Sequence, residues 1–257
     1  MSTAPTGFVW YELMTTDAPS ATAFYAEVVG WKIADAGMPG MAYSYLSAGE
    51  RPVGGLMTLP AEAAAAGARA GWVGYVGVAD VDAQASQLVQ AGGSVKMGPQ
   101  DIPGVGRFAA VTDPHGAAFM LFKGNLSEAP PPLAAGTPGG IGWHELHAGN
   151  GVEALAFYSG QFGWKPDTAM DMGPMGVYQL FSAGAAPIGG IMTKDAAIPA
   201  PFWLYYFNVP AIDAAVGRVT GGGGKVLNGP MEVPGGDWIV QCQDPQGAMF
   251  ALVAPKR

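Results

Sequence analysis

The chain has 257 residues, 49% of them apolar and only 12% charged, with a net charge of −8 and a pI near 4.7. Its 12 Lys and Arg residues form no basic run, which excludes nucleic acid as a partner because nothing neutralises the phosphates. A single cysteine, Cys242, excludes an internal disulfide and fits a reducing compartment.

The opening residues MSTAPTGF carry neither the basic nor the apolar region of a signal peptide. No stretch of 18 apolar residues occurs, and the alanine-rich segment at 61–71 is short and broken by glycine. A cytoplasmic protein without membrane attachment is expected.

In chain order, VWYELMT predicts a strand with Trp10, Glu12 and Met14 on one face and Tyr11 and Leu13 on the other. A helix follows, with Thr16 or Asp17 as N-cap, Pro19 in its first turn and Gly30 just past its end. Ala21, Phe24, Tyr25 and Val28 recur at helical spacing and would lie on the sheet. Strands are expected around Tyr43–Ala48 and Val53–Thr58, joined by a GERP turn. A second unit opens with a strand at Trp72–Val78 and a helix at Asp80–Ala91, ended by Gly92 and Gly93. Strands then follow around Val95, Phe108–Thr112 and Ala118–Phe122, with Asp113-Pro114-His115-Gly116 as a tight turn.

The whole pattern is then repeated. FVWYELMTTDAPSATAFYAEVVGWK at 8–32 returns as IGWHELHAGNGVEALAFYSGQFGWK at 141–165. GWVGYVGVADVD at 71 is answered by FWLYYFNVPAID at 202, and TDPHGAAFML at 112 by QDPQGAMFAL at 243. A repeat of this length marks a duplicated domain rather than a solenoid. In the second copy Asn150 and Glu153 are spaced as a capping box. The segment GNLSEAPPPLAAGTPGG at 124–140 reads as a Pro/Gly linker between a domain at 1–123 and a domain at 141–257. The fold class is α+β: four βαβββ units in two domains, with helices on one side of each curved sheet and a cleft on the other.

ELMTTD…AFYAEVVGWK, VGVADVD…AGG and DPHGAAFMLF, each repeated in the second half, resemble the vicinal oxygen chelate superfamily. That superfamily includes glyoxalase I, bleomycin-resistance proteins and extradiol dioxygenases. The two-domain form resembles its glyoxalase-like or mycobacterial 27 kDa antigen type. The resemblance implies the tandem glyoxalase/bleomycin-resistance/dioxygenase fold and, in most of the superfamily, a divalent metal held by His and Glu. The corresponding positions here are Trp10 and Trp143, Gly55 and Gly190, Val73 and Leu204, and Met120 and Ala251. None of these side chains binds such a metal, so no metal and no other cofactor is expected.

One acid per copy remains. Glu12 and Glu145 lie two residues after the first missing ligand and so share its strand face. Each could act as a general base or ligand contact, or could serve structure alone. The second copy adds His147 where the first has Met14, so Glu145 and His147 could move a proton together, or His147 could simply be exposed at a strand end. His144 has the opposite parity and should face the helices, and His115 reads as a turn residue. Trp10, Trp143, Trp72, Trp203, Tyr75, Tyr206, Phe108 and Trp238 are candidate ligand-binding aromatics, with core packing as the alternative. Gly54-Gly55 and Gly189-Gly190 inside strands imply a close approach of backbone or ligand. The Met- and Gly-rich loops GMPGMAYS and MGPMGVYQ could act as lids.

Three readings follow. The chain could bind a small apolar or aromatic molecule without metal. It could be a lyase or isomerase of a small carbonyl substrate, with Glu145 and His147 as acid and base. It could be a non-catalytic stress or interaction protein. A monomer with pseudo-dimeric halves, or a homodimer, is expected.

Overall fold

The computed structural model describes residues 6–38, 40–125, 131 and 133–257. It contains four successive βαβββ modules. The first is β1 (Phe8–Thr15), α1 (Ala18–Val28), β2 (Lys32–Asp35), β3 (Tyr43–Ala48) and β4 (Arg51–Thr58). After a short helix, α2 (Ala61–Ala65), comes the second: β5 (Gly71–Gly77), α3 (Val81–Gln90), β6 (Ser94–Ile102), β7 (Gly106–Thr112) and β8 (Ala118–Gly124). The third is β9 (Ile141–Ala148), α4 (Gly151–Phe162), β10 (Lys165–Asp171), β11 (Val177–Ser182) and β12 (Pro187–Thr193). The fourth is β13 (Phe202–Asn208), α5 (Ile212–Gly221), β14 (Lys225–Glu232), β15 (Trp238–Gln243) and β16 (Met249–Ala254). In every module three antiparallel strands follow the helix, and the last returns parallel beside the first.

Local chemistry sets the helix ends. Asp17 is the N-cap of α1, its carboxylate accepting from the Ser20 amide at 3.1 Å, and Asp80 caps α3 through the Ala83 amide at 3.0 Å. Asn150 caps α4 by accepting from the Val152 and Glu153 amides. The expected capping box is modified there, because Glu153 accepts from the Asn150 side-chain amide at 3.0 Å instead of from its backbone. Gly30 has φ +86°, the left-handed conformation that stops the chain after α1 at no steric cost. The expected GERP turn is shorter, since Arg51 and Pro52 already belong to β4. The strand β2 and the helix α2 carry too few residues for a periodic signal. Pro130 and Pro132 of the proposed linker lie outside the described residues.

The chain packs as two compact units, and each takes one module from each repeat. One unit combines the second and third modules (73–125 and 144–203), the other the first and fourth (10–72 and 204–257).

In the unit of the first and fourth modules, α1 buries Ala21, Phe24, Tyr25 and Val28, and α5 buries Ile212, Ala215 and Val219. The Trp72 indole N–H donates to the Tyr25 hydroxyl at 2.9 Å, and that hydroxyl donates to Asp244 Oδ2 at 3.1 Å. The other Asp244 oxygen accepts from the Gln246 and Ala248 amides of its own turn. Burial, then the Asp244 charge, push the Tyr25 pKa well up, so its proton stays in the bond.

In the unit of the second and third modules, the same relay recurs. Trp203 donates to Tyr158 at 3.0 Å, Tyr158 to Asp113 Oδ2 at 3.4 Å, and Asp113 Oδ1 accepts from the His115 and Ala117 amides. Trp164 stacks between Tyr158 (5.2 Å) and Phe181 (4.7 Å). His115 is more than a turn residue, because its Nε2 lies 3.0 Å from Glu153 Oε2 at the start of α4.

Each turn aspartate thus receives the helix tyrosine of the other repeat. Tyr25→Phe and Tyr158→Phe should each cost about 1–3 kcal/mol, since each leaves an indole N–H, half-buried for Trp72 and buried for Trp203, and a buried carboxylate oxygen without their partner. Urea unfolding measures this, and a loss below about 0.5 kcal/mol would show that the relay contributes little.

Candidate functional site around Glu145 and His147

Strand alternation sorts the side chains. On β9, Leu146 and Ala148 are fully buried, and His144 stacks on Phe8 at 4.6 Å while its Nδ1–H donates to the Ile188 carbonyl at 2.6 Å. Burial lowers the His144 pKa to about 4, so this imidazole is neutral and structural. Trp143, Glu145 and His147 take the opposite face, as the pattern predicts.

Glu145 pairs across the parallel ladder with Gly190 of β12. From β11, Tyr178 lies over that glycine, so closely that a Cβ at position 190 would collide with its ring. The missing side chain lets the Tyr178 hydroxyl reach Glu145 Oε2, to which it donates at 3.0 Å. The other oxygen, Oε1, is 2.8 Å from His147 Nε2, a short approach that is poorly aligned for a hydrogen bond. The His147 ring stacks on Phe202 at 4.7 Å with an interplanar angle of 7°. Glu145 and His147 are 7% and 8% exposed, so both act in a medium where electrostatic contacts are strong.

The first repeat holds the same clamp without the imidazole. Glu12 pairs with Gly55, Tyr43 lies over Gly55, and the Tyr43 hydroxyl donates to Glu12. That hydroxyl also accepts from the Trp10 indole at 3.0 Å. Burial, followed by the Glu12 charge, raises the Tyr43 pKa far above its ordinary value. Met14 occupies the place of His147, so this acid has no imidazole on its own strand.

The candidate aromatics separate into two sets. Trp72 and Trp203 turn into the cores described above, their indole N–H groups spent on Tyr25 and Tyr158. Trp238 shares its strand face with Val240 and Cys242, both fully buried, and the Arg257 guanidinium lies over its ring at 4.9 Å. These three therefore lie on the core face rather than beside the acids. On the opposite face of the second module, Tyr75 meets Phe122 edge-on at 5.9 Å, and Phe108 pairs with Phe122 in the ladder. In the fourth module, Gln241 donates to the Tyr206 hydroxyl at 3.0 Å across Ala251, which pairs with both strands.

Tyr43, Tyr178 and Phe202 were not singled out by residue type. A signal for the tyrosines does exist: each stands twelve residues before its glycine (55 − 43 and 190 − 178). The double glycines marked the close approach but not which side chain makes it.

The described side chains around Glu145 and His147 offer fewer donors than a divalent ion usually takes. Among the described residues no three of His, Cys, Asp or Glu stand together, whereas such ions usually take about three protein ligands. Glu145 and His147 supply two donors, already facing each other, and Tyr178 fills the space above Gly190. An open groove of about 480 Å³ beside α3 is lined by Asp82, Val89, Val95 and Pro99, and includes none of this cluster.

The repeated module corresponds to a known family. The chain belongs to the Glyoxalase/Bleomycin resistance protein/Dioxygenase superfamily, whose model matches residues 7–121 and again 140–252. Among its relatives, CFP32 of Mycobacterium tuberculosis is 32% identical over 248 residues, covering 96% of this chain and 94% of that protein. The anthracycline biosynthesis protein DnrV of Streptomyces peucetius is 30% identical over 265 residues, covering 97% and 94%. The fold is shared with the Mn(II)-bound glyoxalase of Novosphingobium aromaticivorans (TM-score 0.68, 20% identity, 98% of this chain and 83% of that one). It is shared also with the 2,3-dioxygenase LapB of Pseudomonas sp. KL28 (TM-score 0.66, 13% identity, 99% and 93%). No helix among the described residues is long and apolar enough to cross a membrane.

Proposed function

We propose that this protein binds a small aromatic molecule without a metal ion, at a site in the second repeat centred on Glu145 and His147. The observation that carries this reading is the tyrosine laid over glycine. Tyr178 stands where a ligating side chain would project from Gly190, and its hydroxyl holds Glu145 Oε2 in the manner of an internal ligand. What remains is a carboxylate–imidazole pair beside Phe202, with Trp143 on the same strand face as Glu145. A few polar groups among aromatics suit a planar organic molecule. The name of DnrV points the same way, because anthracyclines are fused-ring aromatics. A cytoplasmic location and a single chain with pseudo-dimeric halves accompany this proposal.

The 2.8 Å approach of His147 to Glu145 favours a second reading, in which the bound molecule is also converted. A carboxylate that orients an imidazole prepares it to take and return one proton, as a lyase or isomerase of a carbonyl substrate requires.

The test is calorimetric titration of the full chain with 2-naphthol after dialysis against EDTA. Saturable binding that survives EDTA is expected. Glu145→Gln and His147→Ala should each weaken it, and the double variant should lose less than the sum, with a coupling of about 0.5–3 kcal/mol. Glu12→Gln should matter less. Binding that vanishes with EDTA and returns with Mn(II) would refute the metal-free reading, and additive effects would refute the pair.

A further inference from the structure

Two asparagines of the chain, Asn150 and Asn228, are followed by glycine. In such a pair the glycine amide nitrogen can attack the asparagine side-chain carbonyl, because no Cβ on the attacking residue stands in the way. Asn150 is held. Its Oδ1 accepts from the Val152 and Glu153 amides at 3.0 and 3.2 Å, and its Nδ2 donates to Glu153 Oε1 at 3.0 Å. The attacking nitrogen is engaged as well, since the Gly151 N–H donates to Thr193 Oγ1 at 3.0 Å. Ring closure at Asn150 must first dismantle the cap of α4.

Asn228 is open. It is exposed on β14, the last strand of its sheet, and no hydrogen bond among the described residues holds its side chain. Gly229 lies in a bulge, between the ladder pairs Asn228–Gln241 and Met231–Ile239. That bulge demands glycine: φ is +93°, and a Cβ would stand 2.8 Å from the Ile239 carbonyl oxygen. The fold therefore fixes a glycine next to an asparagine whose carboxamide is free to turn.

We propose that Asn228 is a site of spontaneous deamidation, and that Asn150 is protected by its cap. The Gly229 nitrogen bonds to Asn228 Cγ, and the Cγ–Nδ2 bond breaks. Nδ2 leaves as ammonia, taking the proton that Gly229 gives up. Water then opens the cyclic imide at either carbonyl. Opening at Cγ gives aspartate, and opening at the main-chain carbonyl gives isoaspartate, in which the chain runs through the former side chain. Nothing is oxidised or reduced, and water is the only reagent. Either product puts a carboxylate on β14. Isoaspartate also lengthens the main chain beside the pairing with Gln241, whose side chain donates to the Tyr206 hydroxyl at 3.0 Å.

The experiment keeps the full chain folded in heavy-oxygen water at mildly alkaline pH, beside a second sample unfolded in urea. Portions taken over time are cut with trypsin in ordinary water and weighed by mass spectrometry. Trypsin cuts after Lys194 and Lys225 and so parts the two sites, and any conversion during digestion carries no heavy oxygen. In the folded protein the Asn228 peptide should take up the label at least about ten-fold faster than the Asn150 peptide, the factor that a helix cap supplies. In urea the two rates should agree within about three-fold, because the cap is gone. Asn228→Ser should abolish labelling of its peptide. Equal rates in the folded protein, or label confined to Asn150, would overturn the proposal. So would label that outlives Asn228→Ser, or a folded Asn228 that stays unlabelled while the urea-unfolded chain reacts.

Discussion

Gly190→Ala is expected to cost roughly 3–5 kcal/mol of stability, the sum of an overpacked core position and a broken buried hydrogen bond. The new Cβ would stand inside the Tyr178 ring, and the ladder partner Glu145 fixes the β12 backbone on its other side. The ring must leave, and its hydroxyl then leaves Glu145 Oε2 without the donor it has at 3.0 Å. Gly217→Ala in α5 is the control, because nothing lies within 4 Å of the Cβ it would add. A helical glycine with free space should gain about 0.5–1 kcal/mol from the same change. Urea unfolding of the two variants should therefore shift in opposite directions. A Gly190→Ala protein within about 1 kcal/mol of the parent would mean that Tyr178 has another resting place, and the clamp would lose its significance.

The second large effect is a pH dependence carried by His144. Its folded pKa is about 4, held down by burial, against an ordinary 6.5. Between these values the unfolded chain binds a proton that the folded protein refuses. Stability therefore falls as pH drops from 6.5 towards 4, is unaffected by this group above that window, and loses about 3 kcal/mol across it. His144→Phe should remove that slope while keeping the stack on Phe8. It also gives up the 2.6 Å bond to the Ile188 carbonyl, a loss of about 1–3 kcal/mol near neutral pH. The two stability curves should therefore converge as acid is added. Asp244, whose pKa is raised by burial, contributes a slope of the opposite sign, but it is present in both proteins and cancels in the comparison. Parallel curves across the window would show that His144 is not held neutral.

Much of the local structure was legible because it depends on neighbours in the chain. Pro19 and Asp17 could be read as the start of α1 from residue type and spacing, and Gly30 as its stop. The parity of β9 placed Glu145 and His147 on one face and His144 on the other, which follows from the two-residue period of any strand. The aromatics were harder. Trp72, Trp203 and Tyr75 all sit on strands, yet only the packed neighbours decide that the two indoles bind helix tyrosines while Tyr75 meets Phe122. The Tyr178 contact spans β11, β12 and β9, so no local pattern could point it at Glu145.

By itself the sequence determined that a βαβββ module occurs four times, that each repeat keeps one acid on its first strand, and that only the second repeat adds an imidazole two residues on. These properties follow from periodicity and residue identity, which the chain carries wherever it is folded. Only the tertiary structure decided which modules share a core. Burying α1 required α5 from the other repeat, and Tyr158 of the second repeat found its acceptor in Asp113 of the first. Likewise, only the packing of Tyr178 over a residue without a side chain turned a double glycine into a carboxylate clamp. The physical reason is the same in both cases: an apolar face or a buried polar atom states what it needs, but its partner is chosen by proximity in space, and proximity is created by the fold.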